Sequence, residues 1–300
     1  MTTTHRYTLF GLLAILFWSC LLAMTRMVAE YFGPLGGAAL LYSLSAILLV
    51  MVLGIPKLSY FPKRYLLVGG ALFVSYEILL ALALGYADSR MQSIQVSIVN
   101  YLWPALTVLF AVWGRGSAKK TSLWLYPAVL LAFIGVAWTV SGDDGISLTM
   151  IQANVMANPL VFIMAFAGAI IWAIYCNVTQ RARCKHNAIT LFFIATAITL
   201  WVKWWLSGSV PSLHFEWQGV GVLFVASALM AGGYALWNVA IVGGNMVLLA
   251  TMSYFTPILS SLLSSMILAV SLPSTFWQGV AMVTIGSLTC WWLTRNKNAV

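Results

Sequence analysis

Charged side chains are scarce in this sequence: Asp, Glu, Lys and Arg make up 7% of its 300 residues. A soluble domain typically carries about 25% charged residues, so the composition excludes an ordinary soluble fold. Cysteine is also infrequent, and three of the four cysteines fall inside apolar stretches. This placement argues against a disulfide scaffold and predicts free thiols. The four are Cys20, Cys176, Cys184 and Cys290.

Motifs for catalysis and metal binding are absent as well. His5, His186 and His214 all lie outside the apolar stretches, and the sequence has neither a His-Glu-x-x-His motif nor a Gly-x-Ser-x-Gly motif. No Walker motif occurs, so direct use of ATP is not expected. We expect no catalytic residue, no metal site and no cofactor. An intramembrane enzyme and a purely structural or channel protein stay open as alternatives.

Long apolar segments are what the sequence does contain, since 62% of its residues are hydrophobic. A bilayer core needs about 20 apolar residues per spanning helix, and such stretches recur along the whole chain. The pattern predicts an all-α integral membrane protein of ten transmembrane helices, with membrane lipid as its solvent. The predicted spans are 8–26, 34–54, 64–86, 92–113, 122–141, 159–179, 188–206, 217–242, 246–270 and 276–294. The longest connection, 142–158, is expected to be a loop.

Basic residues are unevenly distributed between the two faces that these spans define. Twelve of the 15 Lys and Arg residues fall on the face of both termini, and only Arg26, Arg90 and Lys203 fall on the other. Cytoplasmic loops retain Lys and Arg, so both termini are predicted to be cytoplasmic. The net charge of +9 is spread over several short loops rather than gathered on one surface. Membrane topology explains this distribution, and no nucleic-acid partner is expected.

The chain resembles itself at a shift of about 153 residues. Residues 100–104, Asn-Tyr-Leu-Trp-Pro, match 253–257, Ser-Tyr-Phe-Thr-Pro, and Ile134-Gly135 matches Ile285-Gly286. The similarity predicts two five-helix repeats, 1–150 and 151–300. Because five is odd, the second repeat enters the membrane from the opposite side, which gives an inverted repeat around a central cavity. Chance similarity between apolar helices is the alternative interpretation.

Ten spans, two halves and the Tyr-x-x-Pro elements at 101–104 and 254–257 resemble the drug/metabolite transporter superfamily. By length and aromatic content, the chain is most similar to its bacterial inner-membrane exporters of aromatic amino acids. The resemblance implies a basket of helices with spans one, three, four, six, eight and nine around the cavity, and with five and ten outside. One feature departs from the small multidrug pumps of the superfamily. Their first helix carries a proton-coupling carboxylate, whereas this one has Phe17, Trp18 and Ser19.

Polar and aromatic side chains recur at helical spacing within several spans. In lipid, a polar side chain is unfavourable unless it faces another helix or a cavity, so these stripes are predicted to point inward. They are Gly11, Trp18 and Thr25 in span one; Ser93, Asn100, Trp103 and Thr107 in span four; Gly168, Trp172, Tyr175 and Thr179 in span six; and Ser227, Tyr234 and Asn238 in span eight. Facing stripes of this kind predict one polar cavity with aromatic walls.

An aromatic wall suits an aromatic ligand, because each offset or edge ring contact contributes about 0.5–1.5 kcal/mol beyond area burial. Asn100 and Asn238 offer partners for the carboxylate or ammonium group of an amino acid. The alternative is that these rings pack between helices or anchor the protein at the membrane interface. The predicted substrate-binding residues are Trp18, Tyr76, Glu77, Asn100, Tyr101, Trp103, Trp172, Tyr175, Tyr234, Asn238 and Tyr254.

Glu77 is the one acid predicted to lie well inside a span, where ionisation is unfavourable. It is interpreted either as a site for an ammonium group or a proton, or as a neutral carboxyl bonded to a neighbouring helix. Tyr76 and Glu77 are about 100° apart on a helix, so both cannot be central on one wall. Pro104 and Pro257 each remove a backbone hydrogen bond and are predicted hinges, although membrane helices also tolerate proline without such a role.

These features predict a secondary transporter that works by alternating access of its two halves. No Lys or Arg lies deep in a span, which favours a zwitterionic or neutral solute over a phosphorylated one. Export of aromatic amino acids across the bacterial inner membrane follows from the resemblance. Export of other small metabolites or drugs is the alternative within the superfamily. A monomer is expected.

Overall fold

Hydrocarbon cannot hydrogen-bond to peptide groups, so apolar segments of this kind form helices. The computed structural model describes residues 3–113, 123–141, 147–182, 184, 186–207, 213, 215–243, 249 and 252–295. Within these residues the regular structure is helical throughout. The helices are α1 (Thr3–Phe32), α2 (Pro34–Leu53), α3 (Lys63–Gly85), α4 (Arg90–Asn100), α5 (Trp103–Trp113), α6 (Leu125–Val140), α7 (Leu148–Ala157), α8 (Pro159–Ala182), α9 (Ile189–Leu206), α10 (Trp217–Gly243), α11 (Thr256–Ile267) and α12 (Ser274–Arg295), with one 3₁₀ turn at Leu58–Tyr60.

Seven segments of the described chain are long and apolar enough to cross a membrane. They are His5–Phe32, Pro34–Leu53, Lys63–Gly85, Arg90–Trp113, Pro159–Ala182, Ile189–Leu206 and Trp217–Trp237. These correspond to predicted spans one to four and six to eight. Predicted spans five and nine correspond to the shorter apolar helices α6 and α11, and span ten to α12. The all-helical membrane class is therefore confirmed, whereas ten spans stay a prediction.

Predicted span four is divided into two helices. α4 ends at Asn100, Tyr101 and Leu102 form a turn, and α5 begins at Trp103. Pro104 lies just after the break and has no N–H to donate to the carbonyl of Asn100, so the α-helical bond between them cannot form. The second Tyr-x-x-Pro element behaves similarly, because Tyr254 and Phe255 form a turn and α11 begins at Thr256.

The connection 142–158, which we expected to be a loop, contains a short helix. Residues 148–157 form the short helix α7, and the hydroxyl of Ser147 caps it by accepting a hydrogen bond from the N–H of Met150 at 3.3 Å. α7 has no buried residue. Asp143 and Asp144 lie outside the described residues.

The helices pair in a regular way. α1 packs extensively on α10, α3 on α8, α2 on α9 and α6 on α12. The pair α6 and α12 is in close backbone contact, since a Cβ atom added at Gly135 would lie 2.7 Å from the carbonyl oxygen of Gly279. A Cβ at Gly286 would lie 2.7 Å from the carbonyl oxygen of Ala128. Small residues allow membrane helices to approach in this way.

Replacement of Gly135 by Ala is expected to destabilise the protein by about 1–3 kcal/mol, because the added methyl group forces α6 and α12 apart. Thermal unfolding of the purified protein in detergent measures the change. Gly221→Ala is the matched control, since a Cβ at Gly221 of α10 meets no atom within 4 Å. The control should leave stability unchanged or raise it by up to about 1 kcal/mol, as alanine favours helix over glycine. Equal effects at the two positions would contradict the close packing.

Candidate functional site

Trp172 of α8 is the centre of an aromatic cluster. Its ring centroid lies 4.3 Å from that of Tyr76 and 4.9 Å from that of Tyr175, on which it stacks at 28°. Trp103 of α5 meets it edge to face at 6.4 Å, and Phe73 of α3 lies at 5.9 Å. We call Phe73, Tyr76, Trp103, Trp172 and Tyr175 the Trp172 cluster. Rings from α3, α5 and α8 therefore form one surface with several orientations.

Asn100 connects the Trp172 cluster to the break between α4 and α5. Its side-chain amide donates a hydrogen bond to the hydroxyl of Tyr76 at 3.4 Å. The other end of the amide, Oδ1, is buried and has no hydrogen-bond partner among the described residues. A Cβ added at Gly168 would lie 4.0 Å from Oδ1 and 3.7 Å from Tyr76, so the glycine leaves space beside this oxygen.

Glu77 of α3 is 4% exposed and faces away from Asn100. One carboxyl oxygen accepts a hydrogen bond from the hydroxyl of Tyr234 on α10 at 2.8 Å. The other accepts a short hydrogen bond from the hydroxyl of Tyr42 on α2. Tyr76 and Glu77 thus contact different helices, in keeping with their angular separation on α3. Glu77 links three helices through two tyrosines.

A second group of rings surrounds Tyr234. Trp18 of α1 lies 5.5 Å from Tyr234 and 5.2 Å from Trp237. Phe193 of α9 meets Tyr234 edge to face at 5.0 Å. Phe73 joins the two groups, because it lies 6.4 Å from Tyr234 as well as beside Trp172. The indole nitrogen of Trp18 is buried and, among the described residues, has no hydrogen-bond partner.

Two further predicted site residues lie close to α12. Tyr101 is buried in an apolar cluster that contains Tyr76 of α3 as well as Phe276 and Val280 of α12. Tyr254 lies 6.0 Å from Trp291, also on α12. Asn238 is in α10, but its side chain lies outside the described residues. Of the eleven predicted residues, the structure brings together Tyr76, Asn100, Trp103, Trp172 and Tyr175 around Trp172, and Trp18, Glu77 and Tyr234 around α10.

Sequence reasoning missed Tyr42, Phe73 and Phe193. Tyr42 lies in span two, which the family resemblance does not count among the cavity helices. The sequence contained one indirect indication of Tyr42. A carboxyl inside a membrane, such as that of Glu77, needs a hydrogen-bond donor from a neighbouring helix. Phe73 and Phe193 are nonpolar, so no polar stripe identified them; both are fully buried.

An ionic cluster lies at the helix ends where α1 and α3 finish. Glu30 accepts hydrogen bonds from Arg26 at 3.0 Å and from two nitrogens of Arg90 at 3.0 and 2.7 Å. Arg90 also donates to the carbonyl of Leu268, just after α11, at 2.9 Å. Arg26 donates to the carbonyls of Leu84 and Ala87 at the end of α3. One carboxylate therefore positions two guanidinium groups, each of which satisfies carbonyls at a helix end.

Chemically, these groups provide ring faces, one orphaned amide oxygen and a hydrogen-bonded carboxyl. No group of three or more His, Cys, Asp or Glu side chains suited to a metal occurs in the part of the chain that the structure describes. The arrangement is suited to binding a flat, partly polar molecule.

Comparisons with known proteins give a consistent result. Residues 159–292 match the EamA-like transporter family. The chain is 45% identical over 295 residues to the aromatic amino acid exporter YddG of Salmonella typhimurium, covering 98% of this chain and 100% of that protein. It is 46% identical over 294 residues to the protein of the same name from Escherichia coli K12, with 98% and 99% covered. A solved crystal structure with 22% identity superposes with a TM-score of 0.64 over 99% of this chain, which supports the fold.

Tyr42→Phe is expected to destabilise the protein by roughly 1–3 kcal/mol, because the buried carboxyl of Glu77 loses one of its two tyrosine donors. Thermal unfolding in detergent measures the loss. Tyr126→Phe is the matched control, since Tyr126 is 49% exposed on α6, and it should change stability little. An unchanged midpoint for Tyr42→Phe would mean that this hydrogen bond does not hold α2 to α3.

Proposed function

The chain belongs to the EamA-like transporter family, in the drug/metabolite transporter superfamily, and from that membership we propose that it exports aromatic amino acids. The Trp172 cluster carries the proposal, because the partly exposed rings of Trp103, Trp172 and Tyr175 suit contact with a second aromatic ring. The exporters that match over nearly the full length are named for this substrate class. Because these relatives are transporters, an enzymatic role has no support.

The polar surroundings fit a zwitterion better than an anion. Among the described residues, Arg26 and Arg90 are both occupied by Glu30 and by backbone carbonyls at one helix end. A phosphorylated substrate would need a free cation beside the rings. An amino acid needs an aromatic surface and a few neutral partners. The proposed binding residues are therefore the eleven predicted from the sequence, with the Trp172 cluster and Asn100 as the primary contacts.

We propose that ten spans form two inverted repeats, 1–150 and 151–300. Helix pairing supports this. The repeat relates α1 to α8 and α3 to α10, so exchanging the two halves turns the α1–α10 pair into the α8–α3 pair, and both pairs are present. The pairs α2–α9 and α6–α12 convert into themselves. The two proline breaks occupy corresponding positions, which suits Pro104 and Pro257 as hinges. Two such halves can exchange conformations and expose a central site to alternate sides.

The ionic cluster gives this cycle a closed end. Residues 92–102 are all buried, whereas α5 has four buried residues among eleven, so the half of span four next to Arg90 is the more enclosed. Arg90 belongs to the first half and Leu268 to the second. Their hydrogen bond must break for the halves to separate there. We propose that this closed end faces away from the cytoplasm, because the basic residues concentrate at the opposite end.

The proposed setting is the bacterial inner membrane, with both termini in the cytoplasm and a monomer as the transporting unit. The positive-inside distribution of Lys and Arg supports the orientation.

Trp103→Ala should lower the efflux of radiolabelled phenylalanine or tryptophan from proteoliposomes by about tenfold. The variant removes the ring that meets Trp172 edge to face and forms one wall for the substrate ring. Losing one ring contact of about 1.4 kcal/mol corresponds to a tenfold effect. Trp205→Ala is the matched control, because Trp205 is 74% exposed at the end of α9. It should retain wild-type flux.

The wild-type protein decides the substrate class in the same assay. Saturable flux of phenylalanine that the Trp103 variant loses would support the proposal. No flux above empty liposomes, from protein with a cooperative unfolding transition, would exclude aromatic amino acids and favour another metabolite or drug of the superfamily.

Glu30→Gln should open the end held by the ionic cluster more often. Removing the charge weakens contacts to both arginines, and about 1 kcal/mol corresponds to a roughly fivefold shift in the ratio of open to closed states. Distances between spin labels at the ends of α1 and α11, measured by electron paramagnetic resonance, would report the shift. Glu216→Gln, at an exposed acid preceding α10, is the control. Identical distance distributions in the two variants would rule out a latch at Glu30.

A further inference from the structure

We propose that Asn100 is the specificity-determining residue that receives the α-ammonium group of the substrate, through its Oδ1 atom. This inference rests on the proposed export of aromatic amino acids. It assigns one polar group of the substrate, the ammonium group, to one acceptor atom of the protein.

The first argument is the unsatisfied amide. Asn100 is 2% exposed, and its Oδ1 has no hydrogen-bond partner in the part of the chain that the structure describes, although its nitrogen donates to Tyr76. A buried acceptor without a donor is unfavourable by about 1–3 kcal/mol, so such groups need an explanation. A ligand that donates a hydrogen bond supplies one. The α-ammonium group has three N–H bonds and no acceptor, which makes it the matching part of an amino acid.

The second argument is the broken helix. Asn100 is the last residue of α4, and Pro104 cannot donate to its backbone carbonyl. The end of a helix carries a partial negative charge, which favours a cation and disfavours a carboxylate. No basic side chain occurs in the last turn of α4 to neutralise it. The side-chain oxygen and the helix end therefore favour the same kind of group.

The third argument is position. The Tyr76 hydroxyl that holds the amide belongs to a ring whose centroid lies 4.3 Å from that of Trp172. An ammonium group at Asn100 would thus lie beside the surface proposed for the aromatic ring. Gly168 leaves space there, because a Cβ at this position would lie 4.0 Å from Oδ1. The substrate's ring and its ammonium group fit one continuous site.

The test is equilibrium binding of radiolabelled phenylalanine to purified protein, with competition by two analogues. 3-Phenylpropionate lacks the ammonium group, and phenethylamine lacks the carboxylate. Asn100→Leu removes the acceptor, and Asn100→Asp keeps an acceptor at the same place. The leucine variant should bind phenylalanine about 10- to 100-fold more weakly, the range for a hydrogen bond to a charged group, and should no longer prefer it over 3-phenylpropionate. The aspartate variant should keep that preference.

Gly168→Ala provides a second test in case the leucine variant does not fold. Its methyl group fits in ordinary contact with Tyr76 and Asn100 and narrows the space beside Oδ1. It should weaken the binding of phenylalanine and phenethylamine more than the binding of 3-phenylpropionate. Gly221→Ala should leave the affinity for all three compounds unchanged.

Two results would overturn the assignment. One is a leucine variant that still discriminates against 3-phenylpropionate. The other is a leucine variant that loses its preference over phenethylamine instead, which would assign the carboxylate to Asn100. Failure of the wild-type protein to bind or transport any aromatic amino acid would refute the proposed function itself, and the two failures are therefore distinguishable.

Discussion

The inability of lipid to hydrogen-bond to peptide groups governs the structure as a whole. It makes every apolar segment helical and makes every interruption of a helix unfavourable unless protein encloses it. The break at Tyr101 and Leu102 satisfies this condition, because residues 92–102 are buried throughout. An interruption that the fold maintains in this way frees polar groups where the interior would otherwise be apolar. The candidate site is built around one such place.

The interior contains two different kinds of contact, a cluster of aromatic rings and a hydrogen-bonded carboxyl. The Trp172 cluster presents ring faces whose contacts tolerate several orientations. Glu77 does the opposite, since its two tyrosine partners fix it between α2, α3 and α10. With both oxygens bonded, the carboxyl of Glu77 holds these three helices together. The neighbouring residue on α3, Tyr76, lies in the Trp172 cluster instead. One turn of a single helix thus places a member of the ring cluster next to a residue that links helices.

The sequence predicted most of the fold because hydropathy responds directly to the bilayer. Seven of the predicted spans match long apolar helices, and the paired Tyr-x-x-Pro elements predicted where helices break. Site residues on polar stripes were found together, as Asn100, Trp103 and Trp172 show. Phe73 and Phe193 were missed because an apolar ring in an apolar helix has no contrast with its surroundings. Tyr101 and Tyr254 lie in turns between helices. Helical spacing does not give the direction of a side chain in a turn, so the part of these two tyrosines in the site stays a prediction.

The ionic cluster around Glu30 also makes the two ends of the molecule physically unequal. In the predicted topology, every acidic residue except Glu77 falls on the face where α1 and α3 finish, and twelve of the 15 Lys and Arg residues fall on the opposite face. Mobile ions screen the interaction between exposed charges over a length of about 10 Å at 0.1 M salt. Salt in the compartment at the Glu30 end therefore weakens the attraction between Glu30 and its two arginines. Salt on the other side weakens the repulsion between Lys and Arg side chains. The same electrolyte weakens attraction at one end and repulsion at the other, so ionic strength shifts the balance between the two conformations without any change in the substrate.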